Sequence, residues 1–139
     1  MMEDLARWAS RLTEAEISTT DMVAAIGEAQ DGKERTKIRV RPRSADWDSA
    51  EVFQGSDAKG PDRVRLEPAA GSTLTASDLE HAFGPPETTP ARMDSDQPEQ
   101  RIYRIDSGQP GHTTALIAEL RPRGGSVRSV VLRRDARPD

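Results

Sequence analysis

A chain of 139 residues has the size of one domain, and with 34% apolar, 4% aromatic and 32% charged residues it sits at the polar end of the globular range. It has no cysteine, which excludes disulfide frameworks, thiolate metal sites, iron–sulfur clusters and cysteine nucleophiles. No stretch reaches the length of a membrane span, and the start Met1-Met2-Glu3-Asp4-Leu5-Ala6-Arg7-Trp8 has neither the basic end nor the apolar run of an export signal, which predicts a cytoplasmic protein. The net charge of −4 is unevenly spread, with an acidic excess over residues 1–32 and an arginine-rich stretch from Arg121 to Arg137.

Leu5, Trp8, Ala9 and Leu12 recur at the spacing of one helical face, so residues 3–13 read as an amphipathic helix with Trp8 as its core anchor. Ser18-Thr19-Thr20-Asp21 is a capping box. Its hydroxyl and carboxylate satisfy backbone N–H groups at the start of a helix over 19–26, with Ile17 and Met22 as a hydrophobic staple and Gly27 as a left-handed C-terminal cap. Strands follow over Thr36–Arg41, Ala50–Phe53 and Arg63–Glu67, where apolar and polar side chains alternate.

The same grammar returns 57 residues later. Thr75-Ala76-Ser77-Asp78 is a second capping box, Leu74 and Leu79 a second staple, and Gly84 before Pro85-Pro86 a second helix end. Strands are expected over Arg101–Asp106, Thr114–Arg121 and Ser126–Arg134, with turns at 109–111 and 122–125 and a long loop over 87–100. The fold class expected is therefore α+β: short helices packed on an antiparallel β-meander sheet, built as a tandem duplication of a helix-plus-meander unit. One domain spans 1–139, with an N-terminal helix 3–13, repeat one over 17–73 and repeat two over 74–135.

The stretch Leu74-Thr75 to Asp78-Leu79 to Phe83-Gly84-Pro85-Pro86, then a strand containing Tyr103 and a final hairpin, resembles the repeat unit shared by β-lactamase-inhibitor-like proteins and the small outer-membrane-assembly lipoprotein domain. The resemblance covers 74–134, and 17–134 when both repeats are counted. It implies a helical segment on a short antiparallel sheet and a protein-binding function. The chain departs from those families in lacking a lipidation cysteine, the paired cysteines of secreted members and an export signal, so no functional residue is carried over.

Catalytic and metal-binding patterns are scarce. His81 and His112, the only histidines, stand outside any metal-ligand spacing and read as a helix-surface residue and a turn residue. No serine has the context of a nucleophile elbow, and Gly108, Gly111, Gly124 and Gly125 are turn glycines that open no phosphate loop. Asp46, Asp48 and Glu51 around Trp47 fit a cation or sugar site, or a solvated loop with Trp47 tucked against the sheet. The best-defined surface feature is the alternation Lys37, Arg39, Arg41, opposite Ile38 and Val40 and echoed by Arg63 and Arg65 beside Val64 and Leu66. Period two places these cations on one sheet face.

The function expected is a non-catalytic protein-interaction module, not an enzyme and without a cofactor or metal. It binds an unidentified protein partner, for which an acidic protein is one candidate, through an open sheet face by way of Lys37, Arg39, Arg41 and Arg65, together with Trp47. The alternatives are a small-ligand binder with a pocket between helices and sheet, and a nucleic-acid accessory protein. Nucleic acid is the least favoured partner, because the net charge is negative and no recognition helix or RNA-binding sheet motif is present.

Overall fold

The computed structural model describes residues 1–14, 16–30, 37–55, 60–87, 99–106, 111–122 and 125–136. Among these residues three helices and seven strands follow in the order α1 (Met2–Leu12), α2 (Thr19–Ile26), β1 (Gly27–Ala29), β2 (Lys37–Pro42), β3 (Trp47–Gln54), β4 (Pro61–Pro68), α3 (Ala76–Phe83), β5 (Glu99–Ile105), β6 (His112–Leu120) and β7 (Val127–Ala136). Every strand pairing is antiparallel, in the spatial order β1-β2-β3-β4-β7-β6-β5. The fold is α+β, with short helices on an antiparallel sheet.

Both capping boxes form. The Ser18 hydroxyl accepts from the Asp21 amide at 3.0 Å while the Asp21 carboxylate accepts from the Ser18 amide, and Thr75 and Asp78 repeat the exchange at 3.1 and 3.0 Å. A four-atom side chain is thus long enough for the reciprocal bond usually made by Glu or Gln. Both staples are buried; α2 is followed by four sequential strands, β1-β2-β3-β4, and α3 by three, β5-β6-β7. The two meanders meet at their last strands, β4 against β7.

The two helix ends differ. Gly84 has φ 87° and ψ −174°, a region in which a Cβ is strained, and nothing lies near the position a side chain would take. Gly84→Val should therefore lower stability by about 1–2 kcal/mol through backbone strain alone; a thermal melt coinciding with that of the parent would refute it. Gly27, expected as a left-handed cap, instead has φ 175°, extended backbone, and opens the short edge strand β1. The helix runs straight into a strand there because Gly27 pairs with Pro42, and the Arg43 amide donates to the Ile26 carbonyl at 2.9 Å.

All three helices lie on one face of the sheet. Trp8 is 1% exposed and packs with Trp47 at a ring-centroid distance of 5.8 Å, tilted by 58°. The Trp8 indole donates to the Ala25 carbonyl at 3.2 Å, tying α1 to α2. The Thr114 hydroxyl donates to the Ala9 carbonyl at 3.0 Å, tying α1 to β6. Val40, Val52, Val64, Leu66, Leu116 and Leu132 line the sheet side of this core. α3 is the most lightly seated of the three, with Leu79 its only fully buried residue.

The expected turn at 122–125 and the turn at 109–111 lie largely outside the described residues, as does the 88–98 part of the expected loop; Glu99 and Gln100, placed in that loop by sequence, open β5. His112 is the first residue of β6, not a turn residue. Its Nδ1 sits 3.4 Å from the Arg134 guanidinium, and burial with that cation holds its imidazole below the ordinary value.

Candidate binding face

Alternation along each strand sends one set of side chains to the helices and the other to the opposite face, which no described helix covers. The strand register sorts the residues of this open face into rows. One row runs Arg39, Glu51, Arg65, Val131, Ile117, Ile102 from β2 to β5. The row beside it runs Lys37, Phe53, Arg63, Arg133, Ala115, Arg104.

Of the expected site residues, Lys37, Arg39, Arg41 and Arg65 share this face. Glu51 stands between two of them, 3.1 Å from the Lys37 ammonium and 3.7 Å from the Arg65 guanidinium, and Arg65 also reaches Glu67 at 2.7 Å. These half-exposed pairs add little stability each, and they partly neutralise the middle of the face. Arg63 lies over the Phe53 ring, 4.6 Å from its centroid. Arg39 and Arg41 are exposed, and with Glu28, Ala29 and Gln30 they line an open groove of about 460 Å³ at the β1–β2 corner.

Trp47 is not brought together with the cations. It is 3% exposed on the helix side of the sheet, and its indole donates to the Asp4 carboxylate at 3.2 Å. The register between Trp47 and Ser49 is shifted against β4, a local irregularity that lets Trp47 face the helices. The carboxylates around it are likewise separated: Asp46 lies in the turn before β3, Asp48 is exposed beside the irregularity, and Glu51 faces the opposite side. Among the described residues no three His, Asp or Glu side chains group as a metal site would require. None of their helices is long and apolar enough to cross a membrane.

Sequence reasoning missed the apolar part of the face. Ile102, Ile117 and Val131 are cross-strand neighbours, each only half-buried, so three aliphatic side chains lie side by side across β5, β6 and β7. The signal was available. Ala115-Leu116-Ile117-Ala118 and Val130-Val131-Leu132 are unbroken apolar runs, where a strand solvated on one side should alternate.

Beyond this strip the face is crossed by a charged network. Arg104 donates to Asp135 at 2.9 Å, to the Thr113 hydroxyl at 3.1 Å and to Glu87 at 3.2 Å, and Arg133 donates to Asp135 at 2.8 Å. Arg133, then Arg104, hold the Asp135 carboxyl below its ordinary value, against the opposing effect of burial. Because the folded value is depressed, this contribution is fully present above the unfolded value of 3.8 and is lost as pH falls through the folded one. Asp135→Asn should therefore be less stable than the parent at neutral pH, with the gap closing below about pH 4, where carboxylates protonate. Urea midpoints measured across that range check the convergence, and a gap independent of pH would contradict it.

Comparison with known proteins finds no matching family model, no matching curated protein and no matching solved structure.

Proposed function

We propose that this chain is a non-catalytic protein-interaction module that docks a partner protein on the sheet face that no described helix covers. The observation that carries the reading is the strip Ile102, Ile117 and Val131, flanked by Arg65 on one side and by the Arg104–Asp135–Arg133 network on another. An aliphatic centre with a charged surround is the anatomy of a protein interface, where desolvated apolar contacts supply affinity and the polar rim supplies specificity. The size also fits. Seven strands at about 4.8 Å spacing span roughly 30 Å, and with roughly 20 Å along the strands this approaches the scale of about 800 Å² per partner in a standard interface.

The recurrence of a capped helix followed by an antiparallel meander, of four strands in the first half and three in the second, supports reading the chain as a duplicated unit, like that of the β-lactamase-inhibitor-like proteins it resembles. The small-ligand reading is less well supported, because the layer between helices and sheet is filled by Trp8, Trp47, Leu5, Met22, Leu116 and Leu132. Cations exceed carboxylates on the open face of a chain whose net charge is −4, which favours an acidic partner.

The test is affinity capture from the native cell lysate, with and without nuclease, using the parent, Ile117→Asp and the triple variant Arg39→Glu, Arg41→Glu, Arg65→Glu. Capture of one defined protein, insensitive to nuclease and lost in both variants while their circular dichroism is unchanged, supports the module. Undiminished capture by both variants removes the open face from consideration, and nuclease-sensitive capture replaces the protein partner with a nucleic acid.

A further inference from the structure

On the open face nearly every cation is already engaged. Lys37 and Arg65 share Glu51, Arg63 lies over Phe53, and Arg133 and Arg104 share Asp135. Arg39 and Arg41 are different. Both are exposed, neither is within ion-pair distance of a carboxylate among the described residues, and both open into the same groove at the β1–β2 corner. β1 is an edge strand of three residues whose Glu28 and Ala29 are exposed, so the groove lies at the border of the sheet.

Arg39 and Arg41 are two residues apart on one strand, so their side chains leave the same face about 7 Å apart. An extended peptide repeats its side chains at that same distance. A partner segment with carboxylates at alternate positions would thus present one to each guanidinium, and the planar fork of arginine suits carboxylate oxygens. We propose that the partner docks an acidic, extended segment in this groove, with carboxylates at alternate positions held by Arg39 and Arg41. This rests on the open-face reading above and names the chemistry of the partner. Glu28, opposite Arg41 in the register and on the groove wall, opposes the incoming acid.

The probe is a fluorescein-labelled peptide of alternating serine and glutamate, titrated with the full chain at low salt and followed by anisotropy. A peptide of the same composition with its glutamates in one block and an oligothymidylate of equal charge serve as controls. The parent is expected to bind the alternating peptide at least several-fold tighter than either control. Arg39→Gln with Arg41→Gln should weaken that binding at least tenfold, Glu28→Gln should strengthen it, and Ile117→Asp should change it little. Absence of binding at millimolar peptide, equal binding by the double variant, or tighter binding of the oligothymidylate would each overturn the proposal. Partner capture that is lost in Ile117→Asp yet survives Arg39→Gln with Arg41→Gln would overturn the acidic groove while leaving the open-face interface standing. Loss of capture in neither variant would remove both.

Discussion

Replacing Trp8 by alanine should lower the stability of the fold by about 3–5 kcal/mol, the range for truncating a large buried aromatic. The side chain is 1% exposed and stands where α1, α2 and the start of β3 converge. Its loss removes the partner ring of Trp47 and opens a cavity between two helices. It also leaves the Ala25 carbonyl without its indole donor, and a part-buried acceptor without a donor adds to the penalty. Against a total stability of about 5–15 kcal/mol for a domain of this kind, that loss removes from about a fifth of the total to nearly all of it. Urea denaturation followed by tryptophan fluorescence reads the shift through Trp47. Trp8→Phe, which keeps most of the volume and loses the N–H, should fall between the two. A midpoint for the alanine variant within experimental error of the parent would mean that α1 contributes little to the cooperative core.

Gly27→Ala should cost more than Gly84→Ala, for a different reason. The backbone at Gly27 is extended and open to any residue, but an added Cβ would fall inside the contact distance of the Arg41 carbonyl oxygen and within 2.8 Å of its carbon. Both are backbone atoms of the paired strand and cannot rotate away. Either β1 separates from β2 or α2 shifts on the sheet, at a cost in the range of about 1–3 kcal/mol for forced overpacking, and at its upper end because backbone must move. Gly84→Ala, with open space around the new methyl group, bears only the conformational penalty. Equilibrium unfolding of the two alanine variants side by side decides the matter. A larger loss at Gly84 would reverse the assignment, placing strain above packing.

The contrast between these glycines shows what could be read in the chain beforehand. α2 and α3 were legible to the residue because capping is chemistry between groups three positions apart, and both boxes form as written. Six of the strands were legible, β2, β3 and β4 from alternation and β5, β6 and β7 as apolar-rich segments between turn signals, although β3 begins at Trp47, earlier than the expected Ala50, where a shift in register breaks the period. β1 was not legible, since three residues carry no period and it exists only because β2 is beside it. Strand order was equally out of reach. The contact of β4 with β7 joins Arg65 to Val131, and nothing local in either segment specifies it. The cations of the candidate face were found from alternation within β2 and β4. Its aliphatic strip was not, because Ile102, Ile117 and Val131 become neighbours only through two cross-strand registers.

β7 is the last strand in chain order and yet lies at the middle of the sheet, between β4 and β6. During synthesis the β2-β3-β4 meander leaves the ribosome with the outward edge of β4 bare, and Val64 and Leu66 wait for a neighbour not yet made. The first half must tolerate this interval without pairing with another nascent chain. Arg63 and Arg65, charged side chains on that waiting edge, are the kind of residue that discourages such pairing. Closure of the sheet is thus a late, long-range event that waits on β7, and folding should be slower than the short helices and tight local meanders would suggest. Loss of that strand would divide the sheet into two pieces instead of shortening it by one.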